Sequence, residues 1–238
     1  MTRRLTSRPT VCLVLALLVG NPAAASDLTY TFIDFQAISN GLDATGTQSP
    51  VAAQTVDIET DEGDGIAIAG SVAMGEHFFF DGAFLTSIVD VSGTITNPSV
   101  STMVNDNFDL ISSRIGFGYQ REMRPNFDLY ASVSYDSLEF DFGSFAGENF
   151  DMSDDGLGVR VGFRYNPKTE LEVYGHAHFS SIGQGNLTPG TFDSDARLRV
   201  GLIWYFFEDL GMGFDYEAGE IDTFAISMRF SFGDLRLQ

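Results

Sequence analysis

Basic residues, cysteine and long apolar runs are all scarce in this chain. Its 238 residues include 13 Lys or Arg against 33 Asp or Glu, a formal net charge of -20. A chain so acidic is repelled by phosphate backbones, which excludes nucleic acid as a partner. The single cysteine, Cys12, excludes an internal disulfide framework and a thiolate metal cluster. Nor does any apolar run reach the roughly 20 residues of a membrane-spanning helix. Apolar content itself is plentiful: 44% of residues are hydrophobic and 13% aromatic, with 22 Phe and 25 Gly. That is too apolar for an acidic disordered tail. The chain is expected to fold, and its length suits one domain of the larger all-β kind or two small ones.

Residues 1–25 form a basic start with Arg3, Arg4 and Arg8, an apolar run Val11–Val19, and the small residues Ala23, Ala24 and Ala25. This is the layout of a secretory signal peptide with cleavage before Ser26. A membrane anchor would need about twice that apolar length. Cys12 lies inside the apolar run and leaves with the leader, so a lipid-modified amino-terminal cysteine is not expected. Three of the 13 basic residues leave as well, and ten against 33 gives a mature charge of -23.

From residue 26 onward, hydrophobicity alternates with period two. Leu157, Val159, Val161, Phe163 and Tyr165 alternate with Gly156, Gly158, Arg160, Gly162 and Arg164. Phe224, Ile226, Met228, Phe230 and Phe232 do the same against Ala225, Ser227, Arg229 and Ser231. The alternation predicts strands at about 28–38, 64–74, 78–89, 108–120, 127–138, 155–165, 170–181, 195–206, 210–218 and 223–232. Each is near the nine to eleven residues with which a tilted strand crosses a bilayer core. Short turns at 75–77, 121–126, 166–169 and 207–209 take turns with longer polar segments, and Gly70, Gly116 and Gly162 recur every 46 residues in a weak hairpin repeat.

Alternation also suits a secreted β-sandwich, but a sandwich has no reason to gather glycine and arginine on the face opposite its apolar one. The aromatics give a second discriminator. Phe78, Phe80, Phe117, Tyr119, Phe127, Phe163, Tyr165, Trp204, Phe206 and Phe232 sit near the short-turn ends of the apolar faces, as a girdle at the periplasmic interface does. The fold expected is an all-β transmembrane antiparallel up-and-down barrel of about ten strands, eight being the alternative. It spans residues 26–238, with short periplasmic turns and long acidic extracellular loops.

On these features the chain resembles the small outer-membrane β-barrel proteins of Gram-negative bacteria, with a porin-like or OmpA-like transmembrane domain. The closing strand Thr223–Phe232 looks like the aromatic-ended signal read by that family's barrel assembly machinery. Family members commonly end on that Phe, whereas here Gly233–Gln238 follow. The resemblance implies residence in the cell outer membrane, contact with its lipid and lipopolysaccharide, and a monomer. It names an architecture and no activity.

Strand parity then sorts the charges. Asp34, Asp81, Asp128, Asp136, Glu172, Asp215 and Glu217 point inward with Arg114, Arg160, Arg164, Arg197, Arg199 and Arg229, and an interior ion-pair network is expected in a largely plugged lumen. A charge-selective pore would need one sign to dominate its constriction. The remaining acids concentrate in the outer segments, most densely at Asp57–Asp64. That stretch misses the EF-hand template, with Glu62 where Gly is required and Ile68 where Glu is required. A solvated rim is expected there, weak divalent-cation binding shared with lipopolysaccharide being the alternative.

No cofactor is expected. His176 and His178 share the inward face of their strand with Glu172, Tyr174 and Ser180. His178 and Ser180 bear a faint likeness to the His-x-Ser motif of lipid A deacylase barrels, but Ser181 stands where that motif has Asn. As a metal pair the two histidines lack a third ligand. Asp136 and His178, the pair a barrel protease would need, lie on strands that are not neighbours. The expected function is therefore a non-enzymatic structural or surface-interaction role, with a narrow channel for small solutes or cations, and then a lipid or peptide hydrolase, as the alternatives. Amino-terminal sequencing of protein recovered from membranes should read Ser-Asp-Leu, beginning at Ser26; retention of Arg3, Arg4 and Arg8 would refute cleavage.

Overall fold

In the computed structural model the alternating segments pair into a closed sheet. The structure describes residues 28–42, 45–48, 55–97, 100–145, 148–182, 196–219 and 221–232; the expected leader and the tail Gly233–Gln238 lie outside them. The strands are β1 (Phe32–Leu42), β2 (Thr45–Gln48), β3 (Thr55–Met74), β4 (Phe78–Asn97), β5 (Val100–Arg124), β6 (Phe127–Phe145), β7 (Glu148–Lys168), β8 (Leu171–Ser180), β9 (Ala196–Phe207), β10 (Leu210–Ala218) and β11 (Ile221–Ser231). Pairing is antiparallel between chain neighbours from β3 to β11. β1 closes the ring by pairing on one side with β3, Phe32 opposite Ser71, and on the other with β11, Phe32 opposite Ser231. The four-residue β2 extends the line of β1 along β3, opposite Val56–Glu59. The ring therefore has ten positions, not eight.

Closure follows from the solvent. Lipid offers nothing to an unpaired N–H or C=O, so a spanning sheet must leave no edge. The short turns at one end are tight: Gly75 has φ 66° and Asn126 has φ 65°, left-handed values that Gly and Asn adopt at least cost. Parity then fixes the faces. Outward Ile115 and Leu157 are 72% and 74% exposed, while inward Asp34, Asp128 and Glu172 are buried. At a tilt of roughly 40°, the outward residues Leu157–Tyr165 cover about 20 Å of apolar belt. Near its upper margin an outward Tyr216 hydroxyl donates to Asp222 at 2.8 Å, marking where water begins.

Three features depart from the expected pattern. Residues 28–31, read as the start of a strand, instead turn into the barrel mouth, where Leu28 and Tyr30 are buried against Ala73, Phe79 and Tyr130. Segments 55–63, 90–97, 100–107, 139–145 and 148–154, read largely as loop, continue as strand: β3 to β7 run 19 to 25 residues, whereas β8 to β11 run 9 to 12. Threonines and valines such as Thr94 and Val104 suit extended backbone, and a hairpin already in register goes on pairing in water. The result is a wall of paired strands standing above the barrel on one side. Finally, apolar residues are not confined to the lipid face. Val89, Phe108, Leu110, Leu138, Phe140 and Ile182 form a buried cluster inside the outer half of the lumen.

Replacing Ile115, at mid-belt, with Arg should cost about 2–4 kcal/mol in urea unfolding from lipid vesicles. The parent protein should run as a compact band before boiling and at full mass afterwards. Equal stability of parent and Ile115→Arg would contradict the placement of the belt.

Candidate functional site in the barrel lumen

The lumen carries a layered set of ion pairs because each strand delivers inward residues at alternate positions, at heights set by the register. Lowest are Arg164 on β7 and Arg229 on β11, which converge on Glu172 of β8. Arg164 grips Glu172 with two bonds, Nε to Oε1 at 2.7 Å and Nη2 to Oε2 at 2.8 Å. Arg229 holds Asp34 in the same two-pronged way at 2.7 and 2.6 Å and reaches Glu172 Oε1 at 3.3 Å. The Tyr205 hydroxyl donates to Glu172 Oε2 at 3.1 Å. Arg229 also stacks on the Phe32 ring, 3.8 Å from its centre, so one side chain satisfies charge and packing together.

Above this layer, Arg199 donates to Asp215 from Nε at 2.7 Å, and Tyr174 donates to the other Asp215 oxygen at 3.0 Å. Arg197 and Arg199 approach Glu217 at 3.5 and 3.9 Å. On the opposite wall Arg160 binds Asp81 at 2.7 Å, and Arg114 lies 3.5 Å from the same carboxylate. Asp128 is fully buried on β6 and belongs to the same interior. All the inward arginines and acids expected from parity thus face the lumen.

The seventh acid to be placed, Asp136, contributes an arrangement that strand order conceals. It lies on β6 and His178 on β8, with β7 between them, yet His178 Nε2 and Asp136 Oδ2 are 3.1 Å apart. Ser134 and Ser180 also donate to Asp136, at 2.8 and 2.9 Å. The strands are not neighbours, as expected, but the two side chains meet across β7. The cause is Gly158 on β7, which has no side chain between them; a Cβ there would collide with Asp136, Ser134 and His178. Ser180 donates to the carboxylate and not to the imidazole, so the contacts are not those of a nucleophile passing its proton to a base.

The girdle residues lie outward beside the short turns. Phe78, Phe117, Tyr165, Trp204, Phe206 and Phe232 are exposed, while Tyr119 and Phe163 are half-buried among neighbouring rings. Phe78 stacks on Phe117 with centres 5.6 Å apart and meets Tyr119 edge-on at 5.4 Å. The possible cation stretch falls on Asp57–Asp61, whose side chains lie outside the described ones; Glu62 and Asp64 are exposed. Sequence reasoning missed the two apolar layers that bracket the charges, formed by Leu28, Tyr30, Phe79 and Tyr130 below and by Phe108, Leu110, Leu138 and Phe140 above. Their inward parity was available as a signal. Between them remain two chambers of about 90 and 80 Å³, sharing Gln36, Ala69, Arg114 and Arg199 in their walls.

A closed up-and-down barrel with an apolar outer belt and a polar, filled interior is an integral protein of the bacterial outer membrane. Comparison with known families agrees: residues 10–206 match the model of the outer membrane protein beta-barrel domain, and the chain belongs to that family. Among solved structures it is similar to the translocator domain of the autotransporter NalP from Neisseria meningitidis, at 12% identity over 93% of each chain with a TM-score of 0.50. Weaker likenesses include OprG from Pseudomonas aeruginosa, at 8% identity over 86% of this chain and 96% of that one, TM-score 0.43. The KdgM porin is another, at 9% over 84% and 99%, TM-score 0.42. The likeness to the NalP domain shows the fold alone. No curated protein matches by sequence.

Glu172→Gln should cost about 3–5 kcal/mol in vesicle unfolding, because Arg164 and Arg229 would both lose a carboxylate while staying buried. Glu217→Gln, whose partners are longer and wetter, should cost clearly less; equal losses would refute the ranking.

Proposed function

We propose that this protein is a sealed, non-enzymatic outer-membrane barrel that serves a structural or surface-interaction role through the paired strands rising above its outer end. The observation that carries this reading is the layering of the lumen. Inside a mouth of about 790 Å³ at the short-turn end, an aromatic and aliphatic layer, a belt of paired charges, and a second apolar layer at the outer end leave, among the described residues, chambers of about 90 and 80 Å³. Each has room for a few water molecules and none for a hydrated solute. The protein contacts outer-membrane lipid and lipopolysaccharide through its belt, enters the membrane by way of its C-terminal strand and the assembly machinery, and works as a monomer.

A narrow channel is the second reading, favoured by one observation: the two chambers share Arg114 and Arg199 and so follow one another along the axis. Planar-bilayer recording separates the two. The refolded protein should be silent in 1 M KCl, and Phe108→Ala with Phe140→Ala, which thins the outer apolar layer, should introduce openings. Regular unitary conductance from the unaltered protein would overturn the sealed reading.

A further inference from the structure

We propose that the inner chamber of the lumen is a binding site for one small monovalent anion, a halide or a short carboxylate, held by Arg114 and His176. The inference goes beyond the sealed-barrel reading and does not depend on it, since a conducting lumen would leave the site in place.

The first observation concerns Arg114. Each of the other inward arginines has a carboxylate of its own: Arg164 has Glu172, Arg229 has Asp34, Arg199 has Asp215, Arg197 has Glu217 and Arg160 has Asp81. Arg114 shares Asp81 with Arg160 at the longer distance of 3.5 Å, and its Nε makes no hydrogen bond. The residue directly across the strand pair from Arg114 is Asp136. That acid is occupied by Ser134, Ser180 and His178. Two guanidinium groups thus lean on one carboxylate in a largely dehydrated interior, where an uncompensated charge is expensive.

The second observation is independent. His176 is 7% exposed and lines the same chamber. Its Nδ1 lies 3.0 Å from the Tyr130 hydroxyl, and its Nε2 has no partner. In the tautomer with its proton on Nε2, the Tyr130 hydroxyl donates to Nδ1 and Nε2 is a donor left without an acceptor. Arg114 Nε and, in that tautomer, His176 Nε2 therefore present donors to one chamber of about 90 Å³, whose wall also carries the unpartnered Asp81 Oδ1. That volume holds a halide or a formate-sized carboxylate with a little water and excludes sugars and hydrated polyvalent anions.

The test uses the whole refolded protein. Crystals soaked in sodium bromide should show an anomalous peak in the chamber beside Arg114 and His176. In solution, sodium bromide should raise the temperature at which the compact electrophoretic band is lost, relative to sodium gluconate at equal ionic strength. The rise should saturate, by about 2 °C or more. Sodium formate in place of bromide reports whether a carboxylate is taken as well as a halide. The bromide effect should vanish in Arg114→Gln and weaken in His176→Gln; if the glutamine variants do not fold, the anomalous peak in crystals of the unaltered protein decides. A chamber containing water only, or an equal bromide effect in parent and in Arg114→Gln, would overturn the site.

Discussion

The whole structure depends on one requirement: in lipid, every backbone donor and acceptor must be satisfied within the protein. β1 meets it by pairing along both edges, with β3 and with β11. Once the sheet closes, each strand has an outside and an inside, and the period-two alternation becomes a separation of solvents. Outward positions take Ile, Leu, Val and Phe because lipid surrounds them. Inward positions take whatever can fill a narrow tube without leaving polar groups stranded.

Filling that tube is the harder problem, and arginine solves much of it. A planar guanidinium can bind a carboxylate with two parallel bonds and still lay its face on an aromatic ring. Arg229 does both, holding Asp34 while resting on Phe32, and Arg164 does both with Glu172 and Tyr30. Small residues elsewhere make room for such groups to meet across intervening strands, as Gly158 does for Asp136 and His178. The lumen is consequently a packed interior with polar layers, bracketed by apolar ones, and the residual space gathers where the pairing is least complete, around Arg114.

Charge outside the barrel follows another rule. Among the described residues, acids toward the outer end such as Glu62, Asp64, Asp90, Asp106 and Asp109 are exposed, where water solvates them and lipid imposes no cost. Long strands β3 to β7 carry much of that region as ordered sheet.

Much of this was legible in the sequence. The strand count, the faces and the identity of the inward charges follow from period two alone, because a strand must alternate its side chains and only one parity tolerates Arg160, Arg164 and Arg229. The outward exposure of Phe78, Trp204 and Phe206 was legible for the same reason. Three things were decided only by the closed tertiary structure. The apolar layer of Phe108, Leu110, Leu138 and Phe140 depends on four strands bringing inward residues to one height, which register fixes and composition does not. The plug of Leu28 and Tyr30 depends on the mouth being wide enough to receive the segment that leads into β1. The meeting of Asp136 with His178 depends on the curvature of a closed wall, which carries side chains toward each other over a glycine strand. A sequence specifies which way each residue points; only the closed barrel decides what it meets there.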